Sequence, residues 1–252
     1  MAAPRETIDL RIKRQDNPTS TPRWEEFSVP WQPGMNVILC LMEIRRNPVT
    51  RQGTDTPPVH WEASCLEEVC GSCTMLVNGK PRQACSTLTD RLDGDVVTLE
   101  PLTKFPVVRD LVVDRSAMFD ALKRVQGWIP IDGSHDLGPG PRRSPEEQEI
   151  SYAFSRCMTC GCCMEVCPQY NDSSEFIGPA PLAQVRLFNA HPTGRMNAKQ
   201  RLDTIMGRGG IADCGNAQAC VEVCPKDIPL TDAFGELGRQ TTKLWLQRLF
   251  GQ

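Results

Sequence analysis

No apolar run in this sequence is longer than residues 37–42, which stand between Asn36 and Glu43, whereas a helix that crosses a bilayer needs about 20 consecutive apolar residues. The chain is therefore not expected to span a membrane. Residues 1–15 lack the apolar central region of a secretory signal, so nothing points to an oxidising compartment in which disulfides persist. Charge is nearly balanced: 28 Lys and Arg against 31 Asp and Glu leave a formal net charge of −3. That offers no basic field for a phosphate backbone and argues against nucleic-acid binding. Histidine is scarce as well. His60, His135 and His191 stand apart from one another and from any carboxylate at ligand spacing, and structural or solvated roles are expected for all three.

What the chain has in excess is cysteine, 13 in 252 residues. Clustered thiols in a chain without a secretory signal point to metal. The length allows one large domain or two modest ones, each with its own core, and the pattern along the chain favours two.

Residues 7–13 alternate apolar and polar side chains, and Trp24, Phe27 and Val29 follow the turn signal Asn17-Pro18, which predicts a strand hairpin. Residues 35–44 form a helix-like apolar block closed by Asn47-Pro48. Strands are predicted over 74–77, ahead of the turn Asn78-Gly79, and over 96–99, after Asp93-Gly94. These elements make an α+β unit over residues 1–110. Residues 111–252 read as all-α. Helical periodicity runs over 107–125, a Gly/Pro-rich loop covers 132–143, and Ser144-Pro145-Glu146-Glu147 is a capping box with Pro at the first helical position. That helix leads to Cys157. Further helices are predicted over 181–190, 198–206 and 231–250, the last capped by Thr231 or Asp232.

Cys65, Cys70 and Cys73 are separated by four and two residues, and Cys85 follows after eleven, the plant-type [2Fe–2S] spacing. Gly71 and Ser72 permit a tight loop whose backbone N–H groups point at sulfur. Four thiolates would also suit zinc, but the four-residue spacer in a small sheet domain favours the cluster. Cys157, Cys160, Cys163 and Cys167 stand at two, two and three intervening residues with Pro168 next, the bacterial ferredoxin run, whose fourth cysteine ligates the other cluster. The second run is Cys214, Cys220, Cys224 and Pro225, with Ala217 at the second ligand position. By this crossover Cys157, Cys160, Cys163 and Cys224 hold a [4Fe–4S] cluster, and Cys167, Cys214 and Cys220 supply three thiolates for a [3Fe–4S] cluster. The rival for Ala217 is a fourth iron left open for Lewis-acid work, as in a hydro-lyase; no acid–base residues cluster around it in sequence. Cys40, inside the apolar helix, and Cys162, between Gly161 and Cys163, remain as buried small hydrophobes; a substitute-ligand role for Cys162 would need a register shift.

This order of runs resembles the iron–sulfur subunit of succinate dehydrogenases and fumarate reductases. The likeness extends to Pro101-Leu102 with residues 105–111, similar to that family's junction between domains. Residues 178–182, Arg186-Leu187-Phe188 and His191-Pro192-Thr193-Gly194 resemble its menaquinone-linked bacterial branch. The resemblance implies a β-grasp ferredoxin domain followed by an α-helical ferredoxin domain. It also implies partners: a flavoprotein subunit whose FAD oxidises succinate, and a membrane anchor where quinone, here menaquinone, is reduced near the [3Fe–4S] cluster. Any heme would belong to the anchor. The chain itself has no flavin-binding fingerprint and no dicarboxylate clamp. The implied role is electron transfer in a succinate:quinone oxidoreductase of the tricarboxylic acid cycle and respiratory chain, with the chain peripheral on the cytoplasmic face of the bacterial inner (plasma) membrane. The sequence departs from the ubiquinone-reducing branch, where a tryptophan pair follows the Cys-Pro and a histidine follows the first cysteine of the last run. Here Gln169-Tyr170 follow Pro168, and Gly215 follows Cys214. The alternative from another class is a free two-domain ferredoxin. A committed subunit should expose apolar patches, for which residues 128–130 and 244–250 are candidates.

Overall fold

The alternation at the N-terminus places Ile8, Leu10 and Ile12 on the buried face of strand β1 (Thr7–Arg14), with Arg14 as its last inward side chain. The structure is a computed structural model and describes residues 6–129 and 142–251. β1 pairs antiparallel with β2 (Arg23–Pro30) in continuous register from Thr7 with Pro30 to Arg14 with Arg23. Helix α1 (Val37–Arg46) follows, its N-terminus capped by the Asn36 side chain, which accepts from the Leu39 N–H at 2.9 Å. Strands β3 (Thr74–Val77), β4 (Lys80–Gln83) and β5 (Val96–Glu100) complete a sheet of order β2-β1-β5-β3-β4, in which β1 and β5 run parallel and the other neighbours antiparallel. Asn78 and Gly79 both take positive φ, 49° and 72°, as a two-residue hairpin turn requires. The sheet grips α1 through Val37, Ile38, Leu41 and Ile44, which join the strand residues in one core. Each such fully buried aliphatic side chain contributes about 1.5–3 kcal/mol.

Residues 107–125 are not one helix. Val107–Arg109 and Val112–Val113 form a two-stranded ribbon, β6 and β7, and helix α2 begins only at Ser116 (Ser116–Arg124). The β-branched valines suit strands. The turn between them is fixed by Asp110, which has φ 47° and is fully buried. Its carboxylate accepts from Arg14 Nε (2.9 Å), the Gln15 N–H (3.1 Å) and the His60 N–H (2.9 Å). A long-range ion pair thus overrides the local helical pattern.

By contacts the chain divides into two units: residues up to Arg115 together with Met158–Glu165, and Ser116–Cys157 together with residues from Val166 onward. The second unit is helical. The capping box is formed at α3 (Pro145–Ser155): Ser144 Oγ accepts from the Glu147 N–H, and the Glu147 carboxylate from the Ser144 N–H. The short α4 (Cys162–Glu165) belongs to the first unit. α5 (Pro179–Ala190) starts at Pro179, since both Pro179 and Pro181 fit a first turn in which N–H groups lack helical partners. α6 (Ala198–Met206), α7 (Ala219–Glu222) and α8 (Leu230–Leu249) follow. Neither Thr231 nor Asp232 caps α8; Pro229 stands at the cap without a side-chain bond, and Asp232 lies in the first turn, where its charge suits the helix dipole. The core holds Phe176, Ile177, Leu182, Val185, Ile205 and Leu237. The Gly/Pro-rich loop predicted over 132–143 lies, up to residue 141, outside the described residues.

Candidate cluster-binding loops

The loop that carries Cys65, Cys70 and Cys73 alternates backbone handedness, with Leu66, Glu68 and Gly71 at φ 63°, 58° and 75°. Two non-glycine residues in the left-handed region cost roughly 1–2 kcal/mol each. Their effect is to turn successive N–H groups to one side as an anion-binding nest. Cys65 Sγ accepts from the Val69 and Cys70 N–H groups at 3.3 Å, and Cys85 Sγ from the Glu68 N–H at 3.3 Å. Hydrogen bonding with the backbone at Cys65 and with the Ser72 hydroxyl draws the Cys70 thiol down to about 6. Burial pushes Cys73 up to about 12, and the neighbouring Cys85 adds to the rise. The loop thus brings the four predicted thiols around one nest. The donors suit a sulfur-bridged anionic cluster, whose sulfurs accept such bonds.

The next loop repeats the device, with Thr159 and Gly161 at φ 53° and 92°. A Cβ on Gly161 would press on the Phe105 ring at 3.3 Å. Cys160 is drawn down to about 7, chiefly by the hydrogen bond from Cys162 and also by the charge of Arg115. Cys162 is fully buried, and its thiol is pushed upward by Cys160 and by burial. Gln83 Nε2 lies 3.7 Å from Cys162 Sγ and 2.8 Å from Thr74 Oγ1. Cys162 is therefore a packed thiol beside the ligand positions, and Cys40 is likewise fully buried. The two loops meet in backbone contact: a Cβ on Gly71 would lie 2.9 Å from Cys160 Cα and Cβ and from the Met158 carbonyl oxygen. Cys157 and Cys224 belong to the second unit, where Cys224 Sγ accepts from the Ile228 N–H at 3.5 Å.

The third set is gathered within the second unit. Cys167, Cys214 and Cys220 line one small cavity together with Ala217, Gln169 and Phe234. Burial, followed by the charges of Cys167 and Cys214, pushes Cys220 up to about 11. Asn216 and Gln218, at φ 52° and 62°, flank Ala217 in the same alternating pattern as the other two loops. Among the described residues that line the cavity there is no carboxylate, imidazole or lysine. Three soft donors and a methyl group suit three irons, and the acid–base groups that a hydro-lyase needs are not in the wall. A Cβ on Gly215 would lie 2.4 Å from Gln169 Nε2, so the Gln169 amide occupies the space where a side chain at 215 would begin.

Among the described residues no three Cys, His, Asp or Glu side chains converge as ligands of a single metal ion. A zinc site would bring its thiolates to about 2.3 Å from one ion. No disulfide joins the described cysteines. Sequence reasoning missed Arg115, Gln83 and Glu165. The Glu165 carboxylate, nearly buried, accepts from the Thr103 N–H and hydroxyl and from the Lys104 N–H, which fixes α4 behind Cys163. Their partners are distant in sequence, and no spacing or periodicity marks them.

Apolar side chains are left exposed beside the first loop, at Leu66 and Val69, at Trp128, and along the end of α8 at Trp245, Leu246, Leu249 and Phe250. No helix among the described residues is long and apolar enough to cross a membrane.

Residues 9–120 match the family model of a 2Fe-2S iron-sulfur cluster binding domain, and residues 153–228 that of a 4Fe-4S dicluster domain. The chain is 56% identical to the succinate dehydrogenase iron-sulfur subunit of Bacillus subtilis over 97% of its own length and 96% of that protein's. It is 31% identical to the fumarate reductase iron-sulfur subunit of Wolinella succinogenes, over 92% and 96%. Among solved structures, a chain of the Mycobacterium smegmatis Sdh1 complex in the apo form matches with a TM-score of 0.75 at 27% identity, over 94% of this chain and 96% of that one. With its N-terminal sheet domain, its helical C-terminal part and cluster-binding domains in this order, the chain belongs to the iron–sulfur subunit family of succinate dehydrogenases and fumarate reductases.

Proposed function

We propose that this chain is the electron-transfer subunit of a membrane-bound succinate:quinone oxidoreductase, in which residues 1–110 hold a [2Fe–2S] cluster and residues 111–252 carry the ligands of a [4Fe–4S] and a [3Fe–4S] cluster. When bound, the clusters supply one-electron carriers between the FAD of a flavoprotein subunit and menaquinone at a membrane anchor. Cys65, Cys70, Cys73 and Cys85 hold the first; Cys157, Cys160, Cys163 and Cys224, by the crossover of ferredoxin runs, the second; Cys167, Cys214 and Cys220 the third. In the first loop the left-handed residues turn the N–H groups of Glu68, Val69 and Cys70 toward sulfur, and Cys73, Cys85, Cys160, Cys167 and Cys220 are buried. The observation that carries the reading is the third set, three thiols and Ala217 around one cavity, at the place where the ferredoxin pattern lacks a cysteine. The exposed apolar side chains by the first loop and on α8 support docking of partner subunits. The chain would then sit on the cytoplasmic face of the membrane through protein contacts.

Purification from detergent-solubilised membranes tests this. A flavoprotein and a membrane anchor should copurify with the chain, and alkali or chaotrope should release it from the membrane. A chain recovered alone from the soluble fraction with its full cluster content would instead be a free two-domain ferredoxin.

A further inference from the structure

Arg115 stands at the end of the first unit, outside every cysteine run, yet its guanidinium reaches the first ligand loop of that unit. Nη1 donates to the Gly71 carbonyl at 2.8 Å and Nη2 to the Ser72 carbonyl at 3.0 Å, so the planar fork closes on the backbone between Cys70 and Cys73. The same stretch of backbone touches the second loop, because Gly71 lies against Cys160 and the Met158 carbonyl. The side chain is 13% exposed, and Nη2 has one acidic partner, Glu62 Oε2 at 3.0 Å, which is itself 47% exposed.

We propose that Arg115 is a positioning residue that clamps the contact between the first two ligand loops and, as a largely buried fixed cation, raises the reduction potentials of both clusters they hold. Arginine stays charged at every accessible pH, and its fork matches two adjacent carbonyls where a lysine ammonium would reach one. Reduction adds negative charge to a cluster, so a nearby buried cation stabilises the reduced form, while Glu62 opposes it from the solvent side. The inference rests on the cluster reading above.

The test is a redox titration, followed by paramagnetic resonance, of the cluster-loaded full-length chain in its purified complex. In Arg115→Gln both potentials should fall, each by about a tenfold shift in the reduction equilibrium, equivalent to about 59 mV for one electron. Arg115→Lys should retain most of the wild-type potentials, and Glu62→Gln should raise both. The signal of the set at Cys167, Cys214 and Cys220, which Arg115 does not touch, serves as reference. Unmoved potentials in Arg115→Gln would overturn the proposal, and so would an equal fall in the lysine variant, which would mean geometry and not charge. Should Arg115→Gln fail to hold its clusters, Glu62→Gln decides: a rise supports the field effect and no rise overturns it. If the unsubstituted chain carries no cluster signals, the cluster reading itself fails; intact signals with unmoved potentials sink only the role of Arg115.

Discussion

Ala217 carries more of the functional argument than any cysteine. It sits between two left-handed residues, as Cys160 does between Thr159 and Gly161, and it lines the cavity of Cys167, Cys214 and Cys220. A methyl group cannot hold an iron, so under the proposed function this loop would offer three ligands where a complete ferredoxin run offers four. Ala217→Cys should restore the fourth corner, since thiolate is the soft anionic donor such irons prefer. The oxidised wild type should show the paramagnetic signal of a [3Fe–4S] centre, and the variant should lose that signal while iron content rises. The added negative charge should lower the potential, so that quinone reduction slows and flavin-to-dye turnover is spared. A wild type without the signal, carrying three complete clusters by iron analysis, would return the open-iron alternative.

The β6–β7 ribbon owes its existence to a buried ion pair between elements far apart in sequence. Arg14 and Asp110 both have fully buried side chains, and Asp110 also accepts from two backbone N–H groups. Asp110→Ala takes from the buried Arg14 guanidinium one of its two carboxylate partners, the other being Glu25, and leaves two N–H groups unpaired, and should cost about 2–4 kcal/mol. A thermal midpoint equal to that of the parent would refute this account of the ribbon. The turn after α5 makes a pH-dependent counterpart. His191 Nδ1 accepts from the Thr193 and Gly194 N–H groups, both at 3.2 Å, and so must be unprotonated there. Burial, then the charges of Arg143 and Arg195, hold its pKa below the usual 6.5. The folded state therefore binds fewer protons than the unfolded chain just below pH 6.5, and the contribution of His191, complete above that value, is lost as the pH falls toward the depressed one. Thermal midpoints compared at pH 7.5 and about 5.5 should drop less in His191→Asn, whose amide oxygen accepts without titrating. Equal drops would remove His191 as a cause.

At the scale of the molecule, each unit closes its own core, yet Leu66 and Val69 by the first loop and the apolar end of α8 stay in solvent. Under the proposed function these side chains are where partner subunits would dock. Under the proposed function the dicarboxylate chemistry lies on another subunit, so the purified chain should be reduced by dithionite and not by succinate. Succinate-driven reduction, followed by loss of visible absorbance in the chain freed of all flavoprotein, would sink the subunit reading.

The candidate site was legible in the sequence because ligand spacing is a local property: a loop around a cluster needs its cysteines at fixed short intervals, and residues 65–85, 157–167 and 214–224 carry those intervals on their face. The capping box at Ser144 and the turn at Asn78-Gly79 were legible for the same reason, since each is completed within four residues. The helix predicted over 107–125 failed because its periodicity competed with Asp110, whose partner Arg14 is 96 residues away. The α8 cap failed because Pro229 had already set the start of the helix, leaving Thr231 inside it. The sequence by itself determined the spacing of the cysteines and the order of the two domains. Only the tertiary structure decided that Met158–Glu165 packs with the sheet unit, that Gly71 lies against Cys160, and that Arg115 closes on the backbone at Gly71 and Ser72. Contacts between residues tens of positions apart are fixed by burial and charge pairing, which leave no periodic trace along the chain.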